Sequence, residues 1–176
     1  MNTVIALFRG INVGGNNILP MNELKSLLEK LGLRNVKTYI QSGNVVFQTE
    51  KKALGNLAKE IVSSVKTSYN FEPKILFLKH SELQEIIDAN PFEGKDSKSQ
   101  HFFFLDSNPI NPDLTSIEFL KSNSEEYKLI NRVFYLFAPD GIGRSKLASK
   151  VERLLGVPTT ARNRNTVNKL LLMTAK

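Results

Sequence analysis

Val36-Lys37-Thr38-Tyr39-Ile40-Gln41-Ser42-Gly43-Asn44-Val45-Val46-Phe47-Gln48-Thr49 holds two β-branched, apolar runs with three turn-forming residues between them. Residues of that kind suit a pleated, half-buried surface, and a short Gly/Asn turn is what joins antiparallel neighbours. The stretch therefore reads as strands over Val36–Gln41 and Val45–Thr49 with a hairpin at Ser42–Asn44. On its N-terminal side, Thr3–Phe8 is a further strand, followed by the loop Gly10-Ile11-Asn12-Val13-Gly14-Gly15-Asn16-Asn17. Pro20 suits a first helical turn, Leu24, Leu27, Leu28 and Leu31 recur at helical spacing, and Gly32 supplies the left-handed stop. On its C-terminal side, Leu54, Leu57, Ala58, Ile61, Val62 and Val65 mark a second helix, and Lys74–Leu78 an apolar strand. The order is β-α-β-β-α-β, that of a ferredoxin-like unit.

The second half repeats it. A linking helix with Ser81 as its cap and Leu83, Ile86 and Ile87 facing inward ends before Pro91, and Gly94–Gln100 is polar enough for a boundary. Then come a strand from His101 to Leu105, a short helix near Leu114–Leu120, and a hairpin of Glu126–Ile130 with Val133–Phe137. A helix over Ser145–Leu155, a short strand at Thr159–Ala161 and a terminal helix over Asn163–Met173 complete the pattern. The expected class is α+β: two ferredoxin-like-related lobes, 1–90 with the linking helix and 91–176 with a basic C-terminal helical segment. A chain of 176 residues can bury roughly 70% of its unfolded surface, enough for two small lobes.

Charge is unevenly placed. The net charge of +7 lies after residue 143, where Arg144, Lys146, Lys150, Arg153, Arg162, Arg164, Lys169 and Lys176 face only Glu152. A localised basic surface favours anionic partners, nucleic acid or a phosphorylated ligand; a solvated helix face that aids solubility is the alternative. There is no cysteine, which excludes disulfides, thiolate nucleophiles and thiolate-bound metals. The opening apolar run is too short for a signal peptide, and no stretch approaches the ~20 apolar residues of a membrane span. The expected location is the cytoplasm, with no membrane partner.

Antiparallel pairing places the Gly10–Asn17 loop beside the Ser42–Asn44 turn, and the loop Asp140–Arg144 beside Ala161–Asn163. The least ordinary sequence thus gathers at one end of each expected sheet.

From Phe8-Arg9-Gly10-Ile11-Asn12-Val13-Gly14-Gly15, through Tyr39–Phe47 and Gly141–Leu147, to Thr159–Leu170, the chain resembles the bacterial family catalogued as domain of unknown function 1697. The resemblance implies two α+β lobes with ferredoxin-like features and no catalytic residue. The family usually shows Trp after the pair matched by Arg162-Asn163; this chain has Arg164, which leaves guanidinium stacking in place of an aromatic platform.

Each candidate site has two readings. Gly14 and Gly15, with Arg9 at the loop entrance and Asn12 within it, either cradle an anion on exposed N–H groups or permit positive φ in a tight connection. The loop has neither the P-loop nor the dinucleotide spacing. Gln41, Ser42 and Asn44 either meet a ligand held by that loop or serve the hairpin. Arg162, Asn163, Arg164 and Thr166 open the last helix, near Arg144, Ser145 and Lys146, where a helix N-terminus and clustered cations suit a phosphate or carboxylate; Asn163 or Asn165 would otherwise be a cap. His80 and His101 are too few for a histidine-rich metal site, and no GxSxG elbow nominates a serine. No metal and no cofactor are expected.

Two functions are carried forward. The first is a non-enzymatic binding protein for nucleic acid or a nucleotide, using Arg144, Lys146, Arg162, Arg164 and Lys169, with Asn163 and Thr166 adding directional hydrogen bonds. The alternative is an enzyme acting on a small phosphorylated or nucleotide substrate in an inter-lobe cleft.

Overall fold

The computed structural model describes residues 1–175 and contains eight strands and six α-helices. The chain divides into two compact units, one of Met1–Gln84 together with the last residues from Lys169, the other of Glu85–Asn168.

In the first unit, β1 (Asn2–Arg9), α1 (Met21–Lys30), β2 (Arg34–Tyr39), β3 (Asn44–Thr49), α2 (Leu54–Tyr69) and β4 (Lys74–Lys79) build a sheet of order β2-β3-β1-β4. All its pairs are antiparallel, with Val4 opposite Phe47 on one side and Lys79 on the other. This is the ferredoxin-like strand order. Period-two alternation sends Val4, Ala6 and Phe8 into a core with Val45 and Phe47, closed by Leu24 and Leu28 of α1 and Leu57, Ile61 and Val65 of α2. Ile5 and Leu7, of opposite parity, are buried too.

In the second unit, α3 (His80–Asp88) leads across the division into β5 (Gln100–Leu105), α4 (Leu114–Leu120), β6 (Glu126–Ile130), β7 (Val133–Phe137), α5 (Val151–Leu155), β8 (Thr159–Asn163) and α6 (Arg164–Thr174). The sheet order β6-β7-β5-β8 repeats that of the first unit. Phe103 and Phe134 meet edge-to-face at 5.9 Å in a core with Ile117, Leu147, Val151 and Leu154.

Three local expectations need correction. The strand expected over Val36–Gln41 ends at Tyr39, because Ile40 turns to φ 50° and the connection becomes Ile40–Gly43. Ser81 does not cap the linking helix. The chain passes from β4 straight into α3, and the Glu82 carboxylate accepts from the Lys79 N–H at 2.7 Å. The helix expected over Ser145–Leu155 is broken into a 3-10 turn at Ala148–Lys150 and the short α5, after another 3-10 turn at Ile142–Arg144. Ser145 marks where the turns begin: its Oγ accepts from the Ala148 N–H at 3.0 Å in a cap-type bond, and Lys150 then donates to the Leu147 carbonyl three residues back. Leu147, Val151 and Leu154 still face inward.

Candidate functional site

The Gly10–Asn17 loop and the Ile40–Gly43 turn do meet. The Phe8 N–H donates to the Gly43 carbonyl at 2.8 Å, and Asn12 Nδ2 donates to the carbonyls of Leu19 (2.8 Å) and Gln41 (2.9 Å). Asn12 Oδ1 in turn accepts from the Leu19 N–H at 2.8 Å. One side chain thus ties β1, the approach to α1 and the β2–β3 turn together, which uses its amide as a structural clamp. Val13 and Asn16 form a bridge, so Gly14 (φ 58°) and Gly15 (φ 75°) are the central residues of a tight hairpin turn. Asn44 is buried, and its Nδ2 donates to the Tyr39 carbonyl and to Ser42 Oγ. Arg9 is half-buried at the end of β1, and Gln41 and Ser42 are exposed. Gly43 sits where a Cβ would lie 2.6 Å from Phe8 Cβ, at φ 87°. Only glycine allows that approach.

At the Gln100 end of the second sheet, the loop after β7 and the end of β8 also lie together, through the pairs Gln100–Phe137 and His101–Asn163. The cations there differ in their engagement. Arg164 Nη2 pairs with Glu93 Oε2 at 2.6 Å while Nη1 donates to Gln100 Oε1 at 3.2 Å. Gln100 also accepts from Asn90 and donates to the Lys95 carbonyl, so Arg164 belongs to a network that holds the segment before β5. Asn163 Oδ1 accepts from the Thr166 N–H at 2.9 Å and caps α6, and Thr166 is buried. Arg162 is half-buried, and loss of hydration pulls the pKa of its guanidinium down to about 10, still cationic at neutral pH. Ser145 is buried, whereas Arg144, Lys146 and Lys169 are exposed. His101 is buried at the start of β5, and desolvation holds its pKa below the ordinary value of 6.5.

A third region gathers residues that the linear motifs passed over. At the opposite end of the first sheet, a cavity of about 700 Å³ is lined by Lys51, Lys52, Lys79, His80 and Thr174, with Val4 and Leu54 as apolar lining. His80 Nδ1 lies 2.6 Å from Thr174 Oγ1, whose own hydrogen is donated to the Leu171 carbonyl at 2.6 Å. The hydroxyl has one hydrogen, so the imidazole donates through Nδ1, and Nε2 is the nitrogen left for another partner. The readable signal was topological: β3 and β4 both pair antiparallel with β1, so Lys51-Lys52 and Lys79-His80 must emerge at one end. Among the described residues, no group of three or more His, Cys, Asp or Glu could hold a metal ion, and no helix is long and apolar enough to cross a membrane.

Two antiparallel four-stranded sheets in ferredoxin-like order, each with its own helices, define a two-lobed α+β protein. The chain belongs to the family described as a protein of unknown function, DUF1697, whose model matches residues 1–135. Two of the four stretches that carried the resemblance, Phe8–Gly15 and Tyr39–Phe47, lie inside that span. Among solved structures the chain is similar to the conserved bacterial protein SP0830 from Streptococcus pneumoniae, at 26% identity over 98% of each chain and a TM-score of 0.74. No curated protein matches it.

Proposed function

We propose that this is a cytoplasmic, non-enzymatic binding protein that holds a nucleic acid through the basic surface of its second lobe. The observation that carries the reading is the state of Arg144, Lys146 and Lys150. All three are exposed within one short segment, and none forms an ion pair among the described residues. Exposed, unneutralised cations release counterions from a phosphate backbone on binding. Arg162 adds charge from the neighbouring strand end, and Lys169 is a further exposed cation on α6. Arg164 contributes least, because its guanidinium is already committed to Glu93 and Gln100.

The test is fluorescence anisotropy of labelled single-stranded RNA and duplex DNA at low and near-physiological salt. The triple variant Arg144→Ala, Lys146→Ala, Lys150→Ala should weaken binding at least about tenfold and flatten its salt dependence, with roughly one unit of slope lost per phosphate contact removed. Binding insensitive to salt, or unchanged in the triple variant, would refute the reading.

A further inference from the structure

The cavity at the Asn2 end of the first sheet has a composition that selects a ligand class. Its volume of about 700 Å³ lies within the range of small-molecule sites. Among the described residues that line it, none is acidic. Of the carboxylates nearby, Glu60 pairs with the lining residue Lys51, Glu82 accepts from the Lys79 N–H, and Glu50, next to Lys51 in the chain, is not part of the lining. Lys52 and Lys79 are exposed and form no ion pair among the described residues, so two lining cations have no described acid as partner.

We infer that this cavity binds a small phosphorylated molecule, with Lys52 and Lys79 meeting the phosphate and His80 Nε2 accepting a hydrogen bond from a hydroxyl of the ligand. Among the described residues the lining has lysines and no arginine, so it offers separate point charges and not the planar fork that matches carboxylate and phosphate alike. Lysines act as separate point charges and suit a phosphate, which carries about −1.5 to −2 at neutral pH. Thr174 keeps the imidazole in one orientation by receiving its Nδ1 hydrogen. The Ser81 hydroxyl adds a further donor, and Val4 with Leu54 offers apolar surface to the remainder of the ligand. The site draws only on the first unit and the chain's last residues, and is independent of Arg144, Lys146 and Lys150.

The experiment is calorimetric titration of the full chain with adenosine 5′-monophosphate, inorganic phosphate and adenosine, with backbone amide NMR shifts to locate the contact. Saturable binding of the monophosphate and of phosphate at millimolar or lower concentration is expected, with adenosine silent and shifts centred on Lys52, Lys79 and His80. The double variant Lys52→Ala, Lys79→Ala should weaken the monophosphate by about tenfold or more, a loss typical of hydrogen bonds to charged groups. Lys79→Arg should retain most of the binding, and the triple variant of the second lobe should retain all of it. His80→Gln should weaken binding by a smaller factor. Circular dichroism of the double variant checks its fold; should it misfold, Lys52→Gln and Lys79→Gln taken singly replace it. No saturable binding of either phosphate probe would overturn the site, as would binding that survives loss of both lysines or depends on the second-lobe cations.

Discussion

The two ends of the first sheet invert what their sequences advertise. The Gly10–Asn17 end is rich in glycine and asparagine, as a ligand loop is. Yet Asn12 clamps Leu19 and Gln41, Asn17 Nδ2 donates to the Gly10 carbonyl, and Asn44 holds the β2–β3 turn. What this end presents to solvent is partly apolar, with Val13 at 64% and Ile18 at 56% exposure. The Asn2 end has no motif, only two short basic pairs far apart in the chain. Its lysines nonetheless line a cavity whose described residues include no acid. Residue type alone therefore marks a site poorly. What matters is whether the polar group already has a partner inside the fold, because a side chain committed to backbone amides has little left for a ligand.

The sharpest way to break this contrast is at Gly43. Gly43→Ala would force a Cβ against Phe8 Cβ and Ile11 at positive φ, and should destabilise the protein by about 2–5 kcal/mol, read from urea unfolding midpoints. A loss under about 0.5 kcal/mol would mean that the loop end is loosely built and free to serve a ligand. Next comes Asn12→Ala. Removing the clamp should cost about 2–3 kcal/mol through unpaired backbone groups while phosphate binding at the far end of the sheet persists. Stability unchanged with phosphate binding lost would reverse the roles assigned to the two ends.

The smallest effect concerns His101, which lies in the second unit. Burial depresses its folded pKa below the ordinary 6.5. Between those two values the unfolded chain binds a proton that the folded chain refuses, so stability falls as pH drops through about 6.5 and levels off once the folded imidazole is protonated. His101→Gln should flatten that part of the stability–pH curve, measured by denaturant unfolding at several pH values. A steeper curve in the variant would contradict the sign.

Much of the fold was legible because it rests on short-range patterns. The hairpin of β6 and β7 and the helix α4 fall where alternation and helical spacing put them, and Gly32 follows α1 in left-handed geometry (φ 85°). Antiparallel pairing then carries local order into sheet order, so the meeting of Asn12 with Gln41 could be anticipated. Where the reading failed, the backbone took local conformations that residue types do not signal. The chain after Ser145 closes a 3-10 turn from Lys150 to Leu147 before α5, and Ile40 adopts positive φ, which no β-branched residue advertises.

The sequence by itself determined the two-lobed α+β plan, the lack of cysteine chemistry, and the concentration of net charge after residue 143. Those follow from periodicity and composition, which are properties of neighbours along the chain. Only the tertiary structure decided which polar groups are spent and which are available. Arg164 is engaged because Glu93 lies beside it, and Lys79 shares a cavity with Lys52 and Thr174, which arrive there from other parts of the chain. Electrostatic partnership acts through distances of a few ångströms in space, and the linear order of residues does not encode that distance.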